Sequence, residues 1–192
     1  MERLTTFAPK GTIALGYFGL ILALGGVLQS AFYGSARELL NSIFFLYPLG
    51  AALYIVLIRP RIYLAEDCVE VLNPLSRHRI PWEAIRSIET KYCLTFDLGQ
   101  EKVQAWAATS PSRYHLRRVH SSDFKGVRPD ESGFVRPSDS PQSDSGAAAL
   151  LCRREWELRR NLPATNSRRS VQRTHWVFSV SILVSFILAI LF

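Results

Sequence analysis

Three uncharged apolar runs and one alternating stretch organise the chain. Gly11 to Tyr33 (GTIALGYFGLILALGGVLQSAFY) gives 23 residues without a charge, and Leu39 to Ile58 gives another 20. A helix rises about 1.5 Å per residue, so each run is long enough to cross a hydrocarbon core of about 30 Å. Five residues, Gly34 to Glu38, separate them and allow only a tight hairpin. Pro48 falls inside the second run, where it predicts a kink that a packed neighbour tolerates. A third run, Trp176 to Phe192, has 17 residues and places Trp176 as an interfacial anchor. The predicted transmembrane helices are therefore 11–33, 39–58 and 176–192. Two alternatives compete. The first run could be a secretory leader, but it is longer than an ordinary apolar leader core and a second run follows at once. The last could lie in the interface, but no face of it carries a charged stripe.

Between the second and third runs the period changes from helical to alternating. Arg61–Ala65 and Cys68–Leu72 flank the turn Glu66-Asp67, and Val69 and Val71 alternate with Cys68, Glu70 and Leu72 as in a strand with one buried face. Asn73-Pro74 signals a turn, Arg77–Ile80 a further strand, and Cys93–Asp97 with Lys102–Trp106 a hairpin around Gly99. Ile80, Trp82, Ile85, Ile88 and Trp106 are the predicted core. An antiparallel meander of five or six short strands results.

From Thr109 to Ser145 Ser, Pro, Asp, Gly and Arg dominate, with too little apolar surface to bury, so 109–145 reads as a flexible linker. Residues 146–162 (GAAALLCRREWELRRNL) read as an amphipathic helix. It either packs Trp156 onto the sheet as a closing helix or lies on the inner leaflet through its arginines.

Charge sets the orientation. The stretch from Arg59 to His175 holds 20 Lys+Arg against 14 Asp+Glu, a surplus suited to anionic headgroups. Arg3 and Lys10, Arg59 and Arg61, and Arg168, Arg169 and Arg173 flank the spans, which places the N-terminus and the β-rich part in the cytoplasm. Arg77, Arg79, Arg113, Arg117 and Arg118 are the candidate lipid or partner contacts. Nucleic acid is not expected, because no aromatic and basic platform accompanies the charge.

No metal, cofactor or catalytic site is predicted. The four histidines lack ligand spacing, the three cysteines form neither a CxxC nor an even-numbered framework, and no nucleophile elbow, HExxH or phosphate loop occurs.

The run RIYLAEDCVEVLNPLSRHRIPWEAIRSIE, with the hairpin ending VQAWAA, resembles the bacterial pleckstrin-homology-like (PH-like) domain of actinobacterial membrane proteins. Asn73-Pro74, Ile80-Pro81-Trp82 and Ala105-Trp106 carry the resemblance, which covers 59–108, and two spans before the domain fit the same family. It implies a half-barrel of antiparallel strands with a closing helix, and no catalysis. The expected protein is a multi-pass plasma-membrane protein that offers an edge strand or groove to an unidentified membrane or envelope protein. A sensor of anionic lipid headgroups is the alternative. So is an accessory subunit of a transporter or envelope-synthesis complex, packing through Gly19 and Ala23.

Overall fold

The computed structural model describes residues 3–110, 137–160, 170–173 and, near the C-terminus, 180, 183–185 and 187–188. These fall into two compact units, one of residues 10–59 and 173–192, the other of 1–9 and 60–172.

The first unit is built on an antiparallel helical hairpin, α1 (Lys10–Tyr33) and α2 (Ala36–Leu53). Both helices have the length and apolar composition of membrane spans. The turn is closed by a reciprocal cap. Ser35 Oγ accepts from the Glu38 amide at 3.3 Å while the Ser35 amide donates to Glu38 Oε2 at 2.9 Å, which satisfies two of the orphan donors at the start of α2. Small residues set the packing. A Cβ on Gly16 would meet Ile58 Cγ1 at 2.6 Å, one on Gly19 would meet Leu53 Cδ1 at 2.7 Å, and one on Gly26 would meet Leu46 Cδ1 at 3.0 Å. Farther along the same seam, the Ser30 and Ser42 hydroxyls lie 2.6 Å apart. Close approach at small residues and a hydroxyl bond are contacts of the kind that hold apolar helices together where lipid supplies no hydrophobic drive. α2 ends in a π turn, Tyr54–Ile58, with the Arg59 amide donating to the Tyr54 carbonyl at 2.9 Å.

Pro48 lies inside α2 and leaves the Phe44 carbonyl without its usual amide donor. Ser185 Oγ donates to that carbonyl at 3.2 Å. Residues 183–185 are helical and Ser185 is buried; most of the predicted span 176–192 lies outside the described residues.

The second unit is β-rich. The five strands named from the sequence are present as β2 (Arg61–Ala65), β3 (Cys68–Leu72), β4 (Ser76–Pro81), β6 (Cys93–Asp97) and β7 (Lys102–Thr109), and β5 (Ser87–Glu89) is a sixth. Two further strands have no counterpart among the predicted elements. β1 (Arg3–Phe7), ahead of the first helix, pairs antiparallel with β2, and β8 (Ser170–Arg173) lies beside β4. The sheets run β1-β2-β3-β4-β8 and β5-β6-β7, and they are not joined into a closed barrel. A short 3-10 turn, Trp82–Ala84, carries the chain from one to the other. Gly99 turns β6 into β7 with a φ of 87°, a conformation that only glycine adopts without strain.

One core lies between the sheets and helix α3 (Asp144–Arg159). Ile80, Trp82, Ile85 and Ile88 are buried in it with Phe96, Leu94, Val69 and Val71, and Trp82 Nε1 donates to the Ala65 carbonyl at 3.0 Å. α3 adds Ala148, Ala149 and Cys152, with Trp156 packed beside them.

Three expectations need correction. Trp106 is not a core residue, because it is 57% exposed while its neighbours Ala105 and Ala107 fill the inner face. β3 is covered on both faces, since Cys68 and Glu70 are buried along with Val69 and Val71. Residues 137–145 are not linker: a 3-10 turn, Pro137–Asp139, leads to the N-cap Ser143, and Ser138, Asp139, Ser140, Ser143 and Ser145 are buried. The rest of the predicted linker, 111–136, lies outside the described residues.

Removing the hydroxyl in Ser185→Ala should lower the stability of the membrane unit by about 0.6 kcal/mol. The same change in a Pro48→Ala background should cost almost nothing, because alanine in place of the proline restores a backbone donor to Phe44. A double-mutant cycle on the detergent-solubilised protein measures this coupling.

Candidate interaction surfaces

Of the five arginines predicted to contact lipid or a partner, the structure places Arg77 and Arg79 on β4. Arg113, Arg117 and Arg118 lie outside the described residues. The outer face of β3 lies directly opposite β4, with Glu70 across from Arg79 and Leu72 across from Arg77. Both guanidinium groups reach diagonally. Arg77 Nη2 bonds Glu70 Oε2 at 2.7 Å, and Arg79 Nη2 bonds Asp67 Oδ2 at 2.6 Å while its Nε lies 3.2 Å from Cys68 Sγ. These pairs cover the second face of β3. Arg77 stays 40% exposed against 8% for its partner, so the pair contributes on the order of 1 kcal/mol or less.

Asn73 joins the two sheets. Its Nδ2 donates to the Gln104 carbonyl at 2.8 Å and its Oδ1 accepts from the Trp106 amide at 2.9 Å. A peptide group in a neighbouring parallel strand would make the same two bonds, to residues either side of Ala105. The side-chain amide thus stands in for one residue of a strand along the open edge of β7. The turn that carries it is closed by the Asn73 amide donating to the Ser76 carbonyl at 2.8 Å. It presents Leu75, 60% exposed, and the backbone bond brings exposed Trp106 to the same turn. Asn-Pro is readable as a turn. The reach of the side chain to β7 has no signal in the sequence, because its partners are backbone groups 31 and 33 residues away.

The most polar buried cluster gathers where segment 137–145 meets the β5–β6 turn. Asp139 Oδ1 accepts from Thr90 Oγ1 at 2.7 Å and from Arg153 Nη2 at 3.3 Å, and Arg153 also donates to the Ile88 carbonyl at 3.0 Å. Ser145 Oγ donates to the Ser138 carbonyl at 2.8 Å, and Ser143 Oγ accepts the Gly146 amide at 3.0 Å. These hydroxyls are committed to backbone groups and caps, and the Asp139 carboxylate to Thr90 and Arg153. Their arrangement docks a segment and starts a helix. Among the described residues no group of three or more His, Cys, Asp or Glu side chains could hold a metal ion.

Two more exposed apolar residues lie on α3. Its inner face is the row Ala148, Ala149, Cys152 and Trp156, and its outer face shows Leu150 (49% exposed) and Leu158 (65%) on either side of Arg154. The other arginines of the helix are occupied. Arg153 and Arg159 bond backbone carbonyls of Ile88 and Glu66, and Arg160 lies over the Trp156 ring. That leaves little of the basic stripe the sequence suggested for a leaflet-bound helix.

No protein-family model, curated protein or solved structure matches this chain.

Asn73→Ala should destabilise the β unit by about 0.5–1.5 kcal/mol, since the two bonds it removes are exposed and water can take up the freed backbone groups. It should also speed hydrogen exchange at the Trp106 amide. Asn73→Asp keeps the acceptor and loses the donor, so Trp106 should stay protected. Denaturant titration and amide exchange read the two effects.

Burial pushes the Cys68 thiol up to about 11 and the Cys152 thiol up to about 12. A thiol that is harder to ionise when folded contributes stability that is whole below its unfolded value near 9 and is lost as pH climbs toward the folded one. Stability should therefore fall from about pH 9 to about pH 11–12. The fall should shrink in Cys152→Ala, as thermal melts across that range would show.

Proposed function

We propose that the chain is a multi-pass membrane protein that holds a PH-like unit on the cytoplasmic side of the plasma membrane and binds another membrane or envelope protein there, without catalysing a reaction. The pairing of β1 with β2 carries this reading. β1 precedes the first apolar helix and β2 follows the second, with Phe7 opposite Ile62. A sheet closed across the hairpin requires both ends of the hairpin on one side of a bilayer. It also fixes the unit to the membrane, so that recruitment is not its task.

Further support comes from the layout of the β unit. Strands β1 to β4 form one group and β5 to β7 another, followed by a helix over the core, an order compatible with a PH-like half-barrel. In that arrangement the membrane hairpin is an insertion between the first and second strands. The Arg and Lys residues flanking the helices favour the cytoplasmic side. The partner surface we assign is the outer face of α3, where Leu150 and Leu158 stand exposed around Arg154.

The headgroup-sensor reading is less well supported, since Arg77 and Arg79 are paired with Glu70 and Asp67. An accessory-subunit contact through Gly19 competes with Leu53, which already fills that position inside the hairpin.

The test is capture of tagged full-length protein from mildly solubilised membranes, compared with a Leu150→Glu, Leu158→Glu variant. Both sites are exposed, so the variant should keep its circular dichroism and melting temperature. A stoichiometric protein recovered with the wild type and lost from the variant is the expected result. A partner that the variant retains, or anionic lipid alone with both, would overturn it.

A further inference from the structure

We infer that the turn at Pro74-Leu75, together with Trp106, is a bilayer-contact point that rests the β unit on the interfacial layer of the membrane. This goes beyond the protein-binding role proposed above and uses a different surface. It shares with that role only the premise that the two apolar helices cross a bilayer.

Strand register supplies the first reason. Arg61, the first residue of β2, lies opposite Leu72, and Leu72 lies opposite Arg77. Continuing the antiparallel register by one residue sets Asn73 level with Pro60. The loop tip Pro74-Leu75 therefore lies at the end of the β unit where the chain arrives from α2. The same end holds Phe7, opposite Ile62 and three residues before α1 begins. Glu66-Asp67, the turn that receives Arg159 of α3, is at the other end of the sheet.

Chemistry supplies the second. Leu75 is 60% exposed at the loop tip, and Trp106, which the alternation of β7 turns outward, is 57% exposed. Trp106 is fixed by its own backbone bond to Asn73, so the apolar loop tip and the indole are held on one rigid platform. Aromatic side chains with an apolar body and a polar N–H collect at membrane interfaces. Arg61 is in the adjoining row, and Arg59 is two residues before it, which suits an anionic leaflet.

The experiment uses the full-length chain carrying Cys93→Ser, with an environment-sensitive fluorophore on Leu75→Cys or, as the comparison, on Leu158→Cys. Cys68 and Cys152 are fully buried and should not label. Both proteins are placed in vesicles of phosphatidylcholine and phosphatidylglycerol, and only material that survives an alkaline carbonate wash is read, so failure of the spans to insert is scored separately. The label at 75 should emit to the blue of the label at 158 and be quenched roughly twofold more by lipids bearing a nitroxide near the carbonyl region. Water-like emission with equal quenching at the two positions would overturn the inference. So would a label at 75 that turns blue only when membrane proteins are added back, which would make the occupant a protein.

Discussion

The fold depends on one pairing across a long gap in the chain. β1 is five residues long, and its partner β2 begins only after two apolar helices. Closing a flexible loop of that length costs entropy that grows with the logarithm of its length, and a five-residue edge strand gains little with which to offset it. The helical hairpin removes most of that cost. Its reciprocal cap at Ser35 and Glu38, and the glycine seam from Gly16 to Gly26, hold it together through contacts of its own. An antiparallel hairpin delivers both its ends to one place, so β1 meets β2 almost as a neighbour would.

A related constraint governs the edges of the second sheet. Among the described residues, β5-β6-β7 has two outer strands and is not continued by another on either side. Unpaired strand edges invite foreign pairing, and buried backbone groups need partners. Side chains meet both demands. Asn73 takes the Gln104 carbonyl and the Trp106 amide on β7, and Arg153 takes the Ile88 carbonyl on β5. Arg153 is itself held by Asp139, which Thr90 also bonds. The docking of segment 137–145, the seating of α3 and the capping of β5 are therefore one connected network.

What the sequence makes legible follows the range over which its signals act. Two long apolar runs and five strand-like stretches are local patterns, and all of them are helices or strands in the structure. Arg3–Phe7 is too short to show a period, and its partner is more than fifty residues away in sequence, so β1 leaves no local trace. Trp106 goes to the wrong side of its strand when size is allowed to outweigh period. Val103, Ala105 and Ala107 occupy the inward positions of β7, and the alternation alone puts Trp106 outside. Residues 137–145 mislead for the opposite reason. Their composition has no apolar surface to bury, yet hydroxyls bonded to carbonyls can be buried at little cost. The basic cluster at Arg77 and Arg79 looks unpaired in sequence because its acids lie on the preceding strand and turn, a diagonal step away in space.

Those pairings also change where the positive charge resides. On the described part of the β unit, Arg77, Arg79, Lys102, Arg153 and Arg159 each have a carboxylate within salt-bridge distance. Exposed pairs of this kind add little stability, but they cancel field. In the sequence, the surplus of the chain lies in residues flanking the apolar runs, such as Lys10, Arg168 and Arg169, and in the Arg-rich stretch between β7 and α3. Basic residues beside the ends of a span are those that count for orientation, and they act within a short distance of the membrane. A net charge of +7 is thus consistent with a β unit whose described faces are close to neutral.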